Sequence, residues 1–185
     1  MLQKQEAWRL LKSAELVSPA EAVNTAVVRM ASEISAALSD KFPLVLSIMG
    51  GAVVFTGQLL PLLKFPLEFD VLHVTRYRNH IHGGEISWKV TPGANVNGRV
   101  VLVLDDILDE GNTLEEVRAR ILEAGAAAFY SAVLADKERP KTMRADFVGL
   151  QVPNRYVFGF GMDVKGAWRN LPAVYALKDA VKPDA

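Results

Sequence analysis

The stretch VVLVLDDILDEGNT, residues 100–113, is the part of this sequence that says most about the fold. Its first five residues, 100–104, are apolar and mostly β-branched, which predicts a strand that is buried on both faces. Asp105 and Asp106 follow this strand directly, and Asp109 comes three residues later in a short loop. Three carboxylates at the end of a buried strand indicate a functional site.

The loop behind these carboxylates has the layout of an anion site. Residues 110–113 lead into a predicted helix, whose start is indicated by the capping-box spacing of Thr113 and Glu116. Ligands of open α/β sheets bind outside the carboxyl ends of strands, and a helix N-terminus offers free backbone N–H groups to an anion. Acidic residues beside an anion site have to be explained. The simplest explanation is that the carboxylates bind a polyol or a Mg²⁺ ion that is attached to the phosphate. The sequence therefore predicts that backbone amides and Thr113 bind a phosphate.

The composition limits the function classes. Half of the 185 residues are hydrophobic, and 21 basic residues balance 21 acidic ones, so the formal net charge is zero. This balance argues against a protein whose main partner is nucleic acid. The absence of cysteine excludes disulfides, a thiolate nucleophile and a cysteine zinc site. With no signal-peptide core and no apolar run near the roughly 20 residues of a membrane span, we expect one cytosolic domain over residues 1–185.

Before the central stretch, the pattern predicts a helical segment and a second turn suited to an anion. Residues 1–43 are predicted to be helical, with Ser18-Pro19-Ala20-Glu21 as a capping box. Residues 44–49 predict a short buried strand that ends at Gly50-Gly51, before a helix-like segment over 53–63. Glycine lets the backbone approach a ligand closely, although a tight strand-to-helix turn without a ligand is the alternative.

Two further predicted strands, 67–75 and 85–91, flank a basic loop that begins at Arg76 and Tyr77. Such a hairpin is typical either of a mobile lid over a ligand or of an ordinary solvated turn. The histidines of the loop lack the Cys, Asp or Glu neighbours of a metal site.

The segment after the central stretch supplies a basic residue at the same edge. The helix is predicted to end at Gly125, and the next strand, 128–135, ends just before Lys137. Lys137 would then lie at the carboxyl edge of the sheet, although an ordinary surface lysine is the alternative. Three short strands are predicted beyond it, over 146–152, 155–161 and 173–177.

The ordered pattern Asp-Asp-Ile-Leu-Asp-x-Gly-Asn-Thr after an apolar strand resembles the phosphoribosyl-pyrophosphate (PRPP) signature of type I phosphoribosyltransferases. It is most similar to the hypoxanthine-guanine branch. The resemblance covers residues 40–178, whereas the first forty residues match only in being helical. It implies an α/β fold with a mainly parallel central sheet of about five strands flanked by helices. A small hood would be built from the N- and C-terminal segments.

The resemblance also implies a role for each candidate residue. Asp109 would handle the proton at purine N7, while Asp105 and Asp106 would hold the ribose hydroxyls and Mg²⁺. Lys137 would donate to O6 of a 6-oxopurine, since an ammonium is a good donor to a carbonyl and a poor one to an amino group. The 5′-phosphate would be bound by Glu110, Gly111, Asn112 and Thr113, and the pyrophosphate would be contacted by Met49, Gly50, Gly51 and Arg169.

The remaining residues would surround the base. Tyr156 would stack on it, Val157 would present backbone groups to it, and Asp163 would lie near it and near a second metal. The lid would include Arg76 and Tyr77.

Two of these roles have structural alternatives. Without the resemblance, Tyr156 is better interpreted as a core residue and Asp163 as an N-cap or turn carboxylate.

The implied reaction converts hypoxanthine or guanine and PRPP to IMP or GMP and pyrophosphate. The resemblance implies Mg²⁺ as the cofactor and the 6-oxopurine and PRPP as the partners. It implies neither nucleic acid nor a membrane as a partner. The implied oligomer is a homo-dimer or a homo-tetramer. One rival is a regulator of the same fold that binds nucleic acid, but it needs a basic surface and has no use for the proton-transfer group Asp109. Another is a phospho-acceptor receiver domain, which fits poorly because the glycine-threonine helix start behind the aspartates is an anion cradle.

Overall fold

The computed structural model describes residues 2–76, 86–90 and 95–178, with only the backbone at 75–76 and 86–90. Strands and helices alternate over most of these ranges. The helices there are α1 Lys4–Ser13, α2 Ala20–Leu38, α3 Val53–Leu59 with a 3-10 turn at Leu60–Leu62, and α4 Asn112–Glu123. The strands are β1 Glu15–Ser18, β2 Leu44–Met49, β3 Glu68–Arg76, β4 Ile86–Val90, β5 Val100–Leu108, β6 Ala128–Lys137, β7 Phe147–Val152, β8 Val157–Phe158 and β9 Val174–Ala176.

Six strands form the central sheet in the order β4-β3-β2-β5-β6-β7. The five strands from β3 to β7 in this order are parallel, and β4 pairs antiparallel with β3 at the edge. The mainly parallel sheet predicted from the sequence is therefore confirmed. Strand order reverses between β2 and β5, since β3 lies on one side of β2 and β5 on the other. Such a switch point is where open α/β sheets bind their ligands, beyond the carboxyl ends of the strands.

The central strand β5 is buried on both faces, as its apolar run predicted. Leu102 and Leu104 pack in the cluster that includes α2 and α3, and Val101 and Val103 pack in the opposite cluster with α4. Burial of each such side chain contributes roughly 1.5–3 kcal/mol, so a one-residue slip of the strand is costly. The carboxylates at its end are thereby held in one position.

A small antiparallel sheet of order β1-β9-β8 forms the hood. It joins the N-terminal segment to the C-terminal one, and Phe158 stacks on Tyr175 with ring centroids 5.7 Å apart. Helix α1 lies against it, where Trp8 meets Trp168 edge-on at 4.9 Å. None of the helices in the described part of the chain has the length and hydropathy that crossing a bilayer requires.

The N-terminal prediction was wrong in two respects. Residues 1–43 are not helical throughout, because strand β1 interrupts them and pairs with β9. The predicted capping box at Ser18 is also absent: α2 begins at Ala20 after Pro19, without a side-chain cap. Ser18 is instead the last residue of β1 and pairs with Val174. Pairing with a strand more than 150 residues away has no local signal.

Strand β5 and helix α4 also differ from the prediction. The strand continues to Leu108, so Asp105 and Asp106 belong to it, because β6 remains paired alongside. Helix α4 begins at Asn112 behind Gly111, which has φ 90° and caps the helix without a side-chain hydrogen bond. The capping box predicted at Thr113 is therefore wrong.

The strand predicted over 155–161 is much shorter, since only β8 forms there. Gly159, Phe160 and Gly161 all have positive φ, which turns the backbone away from a strand.

Candidate active site

A cavity of about 530 Å³ opens at the switch point of the sheet, below the hood. The end of β2, the end of β5 with its loop into α4, and two hood residues line it. Of the predicted site residues, the lining includes Met49, Gly51, Asp105, Asp106, Asp109, Glu110, Gly111, Asn112, Thr113, Asp163 and Arg169. The structure thus brings together residues from three distant parts of the chain.

Asp105 and Asp106 form a carboxylate pair on one side of the cavity. The backbone N–H of Asp106 donates to Asp105 Oδ1 at 2.9 Å. Burial raises the pKa of Asp105 well above its usual range, and the neighbouring Asp106 adds to the effect. Burial also raises the pKa of Asp106, although the hydrogen bond with Asp105 and the charge of Arg169 act against it. Two adjacent, half-buried carboxylates that line a cavity are suited to binding hydroxyl groups or a cation.

The Gly50-Gly51 turn lies directly against this pair. A Cβ on Gly51 would come within 1.7 Å of Asp106 Oδ2, so no side chain fits there. The peptide bond between Met49 and Gly50 is cis. On its other side the turn meets the hood, since a Cβ on Gly161 would lie 2.0 Å from the Gly51 carbonyl oxygen. Glycine is therefore required at position 51 by the contact with Asp106, whether or not a ligand also approaches this backbone.

Asp109 is held by two cations. Lys137 Nζ donates to Asp109 Oδ2 at 2.6 Å, and Arg139 Nη1 donates to Oδ1 at 2.9 Å. Burial alone would raise the pKa of Asp109, but the hydrogen bonds and charges of Lys137 and Arg139 outweigh it and lower the pKa. Asp109 is therefore ionised at neutral pH and paired with both cations.

The predicted phosphate loop, 110–113, leads into α4 as expected. The geometry of a helix leaves the first backbone N–H groups without intrahelical acceptors, and these groups border the cavity. The segment after β6 supports the loop from behind. Thr142 donates its backbone N–H to the Glu110 carbonyl at 2.9 Å, and a Cβ on Gly111 would lie 2.9 Å from Met143 N.

The hood contributes Asp163 and Arg169 to the cavity. Arg169 Nη2 lies 2.7 Å from Asp163 Oδ1, and Nη1 donates to the Gly161 carbonyl at 2.7 Å. The other carboxylate oxygen of Asp163 accepts from the Gly166 N–H at 2.7 Å. Asp163 thus holds an arginine that also faces Asp106.

Two predicted purine contacts are placed differently. Tyr156 and Val157 are not among the described residues that line the cavity. The Tyr156 hydroxyl donates to the Asp163 carbonyl at 3.0 Å. The Tyr156 ring packs against the hood cluster formed by Phe158, Val164 and Leu177. Val157 is only 5% exposed and belongs to the main core. The packing alternative for Tyr156 is thus observed in this structure.

The remaining predicted residues lie outside the cavity lining or outside the described part of the chain. Gly50 belongs to the turn at the cavity rim, and Lys137 approaches the site through Asp109. The lid prediction falls on Tyr77 and on the Arg76 side chain, which lie outside the described residues; β3 and β4 do pair as an antiparallel hairpin on either side.

The sequence reasoning missed Arg139. Its side chain contacts both Asp109 and Glu110, with Nη2 donating to Glu110 Oε1 at 3.0 Å. The available signal was its position two residues beyond Lys137, at the carboxyl edge of β6.

A magnesium ion fits the Asp105–Asp106 pair. In proteins Mg²⁺ keeps several waters and binds one or two carboxylates together with substrate phosphates. Within the described ranges, no group of three or more His, Asp or Glu side chains could enclose an ion. Two adjacent, half-buried carboxylates at the cavity suit an ion whose other ligands belong to the substrate. Asp163, whose two carboxylate oxygens each accept one contact at present, lies at the same cavity.

Comparisons with known proteins agree with this fold. The profile of the family described as "Phosphoribosyl transferase domain" matches residues 13–165. A hypoxanthine-guanine phosphoribosyltransferase of Bacillus subtilis is 32% identical over 164 residues, which cover 87% of this chain and 91% of that protein. A hypoxanthine-guanine-xanthine phosphoribosyltransferase of Tritrichomonas foetus is 32% identical over 82% of this chain and 85% of that protein. The crystal structure of a Staphylococcus aureus hypoxanthine phosphoribosyltransferase, 23% identical, has the same fold with a TM-score of 0.87 over 95% of this chain and 98% of that one.

Proposed function

The chain belongs to the phosphoribosyltransferase family, and from this membership we propose that it is a purine-salvage enzyme that converts hypoxanthine or guanine and PRPP to IMP or GMP and pyrophosphate. Relatives that carry this name cover most of the chain. The regulatory alternative is not favoured, because the net charge is zero and Asp109 is present.

The observation that carries the proposal is the pairing of Lys137 with Asp109 at 2.6 Å. A 6-oxopurine presents an acceptor, O6, beside N7–H, a donor, on one edge. An ammonium next to a carboxylate offers a donor beside an acceptor, which is the complementary pattern. The base would replace the direct contact between the two side chains with one hydrogen bond to each.

Asp109 serves as the proton acceptor in this proposal. The purine N9 forms a bond to ribose C1 as the bond from C1 to pyrophosphate breaks, and the N7 proton passes to the Asp109 carboxylate. Asp109 is ionised at neutral pH, as a base must be, and loss of its contact with Lys137 to the base would remove part of what lowers its pKa. In the reverse direction the same group returns the proton.

The other residues bind and orient PRPP. Asp105 and Asp106 hold the ribose hydroxyls, the loop 110–113 binds the 5′-phosphate, and Arg169 with the Gly50-Gly51 turn contacts the pyrophosphate. Mg²⁺ bound with PRPP would neutralise charge on the departing pyrophosphate. Tyr156 and Val157 would have to face the base from the hood.

The test is a panel of bases with PRPP and Mg²⁺, using the wild type, Lys137→Ala and the control Lys64→Ala. Lys64 is exposed and does not line the cavity, so its variant should behave as the wild type. Hypoxanthine and guanine should react. Adenine should be rejected by as much as roughly 10⁴-fold, because its amino group leaves the ammonium without an acceptor. Lys137→Ala should lose activity on 6-oxopurines, mainly through a higher KM for the base. It should not gain activity on adenine.

Use of adenine alongside hypoxanthine, or of orotate or uracil alone, would contradict the assignment of the base.

A further inference from the structure

The loop assigned to the 5′-phosphate contains a carboxylate. Glu110 is the first residue of the loop 110–113, and its side chain is 45% exposed at the cavity. A phosphate monoester carries close to two negative charges at neutral pH. An uncompensated carboxylate a few ångströms away would therefore weaken phosphate binding, while the helix N-terminus behind it strengthens it.

Both carboxylate oxygens of Glu110 are engaged in the structure. Arg139 Nη2 donates to Oε1 at 3.0 Å, and Asn112 Nδ2 donates to Oε2 at 3.2 Å. The same guanidinium donates to Asp109 Oδ1 at 2.9 Å through Nη1. One arginine thus bridges the proposed proton acceptor and the first residue of the phosphate loop.

We propose that Arg139 is a charge-compensating residue of the 5′-phosphate site, whose guanidinium neutralises Glu110 so that the phosphate of PRPP or of the nucleotide product can occupy the loop. This inference rests on the proposed function, since it assumes that the loop binds that phosphate.

The charges around the loop support this role. Asp109 and Glu110 supply two negative charges, and Lys137 and Arg139 supply two positive ones, so the cluster is neutral as built. Removal of Arg139 would leave one net negative charge beside an incoming anion. Lys137 does not compensate Glu110 in the structure, because its ammonium donates to Asp109 Oδ2.

The geometry explains why this residue is an arginine. A planar guanidinium presents a fork of donors that can reach two carboxylates at once, whereas an ammonium acts as a point charge. The arginine is also held in place relative to the loop. Thr142, three residues further on, bonds the Glu110 carbonyl through both its backbone N–H and its hydroxyl, at 2.9 and 3.2 Å.

A second arrangement of Arg139 would also make the affinity for PRPP depend on this residue. Arg139 could leave Glu110 and contact the phosphate directly. The two arrangements differ in what happens when Glu110 loses its charge. If Arg139 acts by compensation, it becomes dispensable once Glu110 is neutral; if it binds the phosphate itself, it does not.

The test is a double-mutant cycle with Arg139→Met, Glu110→Gln and the double variant, measured by titration calorimetry with Mg²⁺ and PRPP. Arg118→Met, on the exposed face of α4, is the control for loss of a positive charge near the same helix. Arg139→Met should weaken PRPP by roughly tenfold or more, as expected for exposing a like charge to a ligand. The double variant should return to within roughly threefold of the wild type. Arg118→Met should bind as the wild type does.

Two further ligands locate the effect. IMP contains the 5′-phosphate and lacks pyrophosphate, so Arg139→Met should weaken it as it weakens PRPP. Inorganic pyrophosphate should bind with the same affinity to Arg139→Met and to the wild type. Thermal unfolding of each variant checks that binding losses do not come from unfolding.

Unchanged PRPP and IMP affinity in Arg139→Met would overturn the inference, and so would a double variant no tighter than Arg139→Met. Either result leaves the proposed function intact if the wild type still forms IMP. A wild type that binds no PRPP with Mg²⁺ would overturn both.

Discussion

At the scale of single residues, neighbouring carboxylates of this site have opposite protonation tendencies. Burial and mutual repulsion raise the pKa of Asp105, whereas Lys137 and Arg139 lower the pKa of Asp109. Environments that push the pKa values of nearby acids apart are typical of sites that divide binding and proton transfer between them. The two carboxylates should therefore respond differently to mutation.

Asp109→Asn should retain PRPP binding and lower turnover by roughly a hundredfold or more, as loss of a general acid–base group does. Asparagine keeps the shape of the side chain and an acceptor for Lys137, but it cannot take the N7 proton. Steady-state kinetics with hypoxanthine, beside calorimetry with PRPP, separate the two effects. Turnover close to that of the wild type would remove Asp109 from the chemistry.

The unliganded protein should lose stability as pH rises above the ordinary pKa of an aspartate toward the raised pKa of Asp105. In that interval the folded state holds more protons than the unfolded state, so the free energy of unfolding falls with pH. Asp105→Asn should reduce this slope and raise the free energy of unfolding at pH 7, because asparagine carries no buried carboxylate to ionise. It should also weaken PRPP binding.

Urea unfolding across the pH range measures this effect. Asp40→Asn is the control, because Lys41 lowers the pKa of that exposed carboxyl and no such gain is expected. A variant with the wild-type pH slope would contradict the assigned cause.

At the scale of elements, the turn between β2 and α3 is fitted against the end of β5. Gly51→Ala should displace Asp106 or the turn, because its Cβ would lie 1.7 Å from a carboxylate oxygen. We expect PRPP binding to fall by roughly tenfold or more, since a misplacement of about 1 Å can cost a hundredfold. Gly57→Ala is a matched control within α3. Its Cβ meets nothing within 4 Å, and alanine favours a helix.

Calorimetry with PRPP and thermal unfolding of both alanine variants test this prediction. Equal PRPP affinity in Gly51→Ala and Gly57→Ala would show that the close approach to Asp106 has no effect on binding.

At the scale of the whole molecule, the cavity is bounded by the sheet on one side and the hood on the other, and the ligand should join the two. PRPP with Mg²⁺ should raise the thermal unfolding midpoint, because a ligand at a hundred times its Kd stabilises by about 2.7 kcal/mol. Excess chelator should remove most of this gain and abolish turnover. Full activity in chelator would contradict the metal assignment. The single domain and the homo-dimer or homo-tetramer stay predictions, which sedimentation can test.

The family, the mainly parallel sheet and the hood were predicted correctly from the sequence, while the roles of individual residues stay predictions. The apolar run at 100–104 was sufficient for the central strand, because a strand buried on both faces has a composition of its own. Carboxylates, glycine and threonine at fixed spacing behind it predicted the ligand edge, since local turn chemistry depends on neighbours in sequence.

The tertiary structure alone decided which remote groups meet. Strand β1 forms only because β9 lies beside it, and Asp106 excludes a side chain at Gly51 only because β2 and β5 are adjacent. The bridge from Arg139 to Glu110 joins residues 29 positions apart, and no periodicity marks it. Local patterns encode burial and turns, whereas charge compensation depends on side chains brought together by packing. Local patterns were therefore enough to predict the fold and the sheet edge where the candidate site lies, whereas the balance of charge around Asp109 and Glu110 depends on residues that only packing brings together.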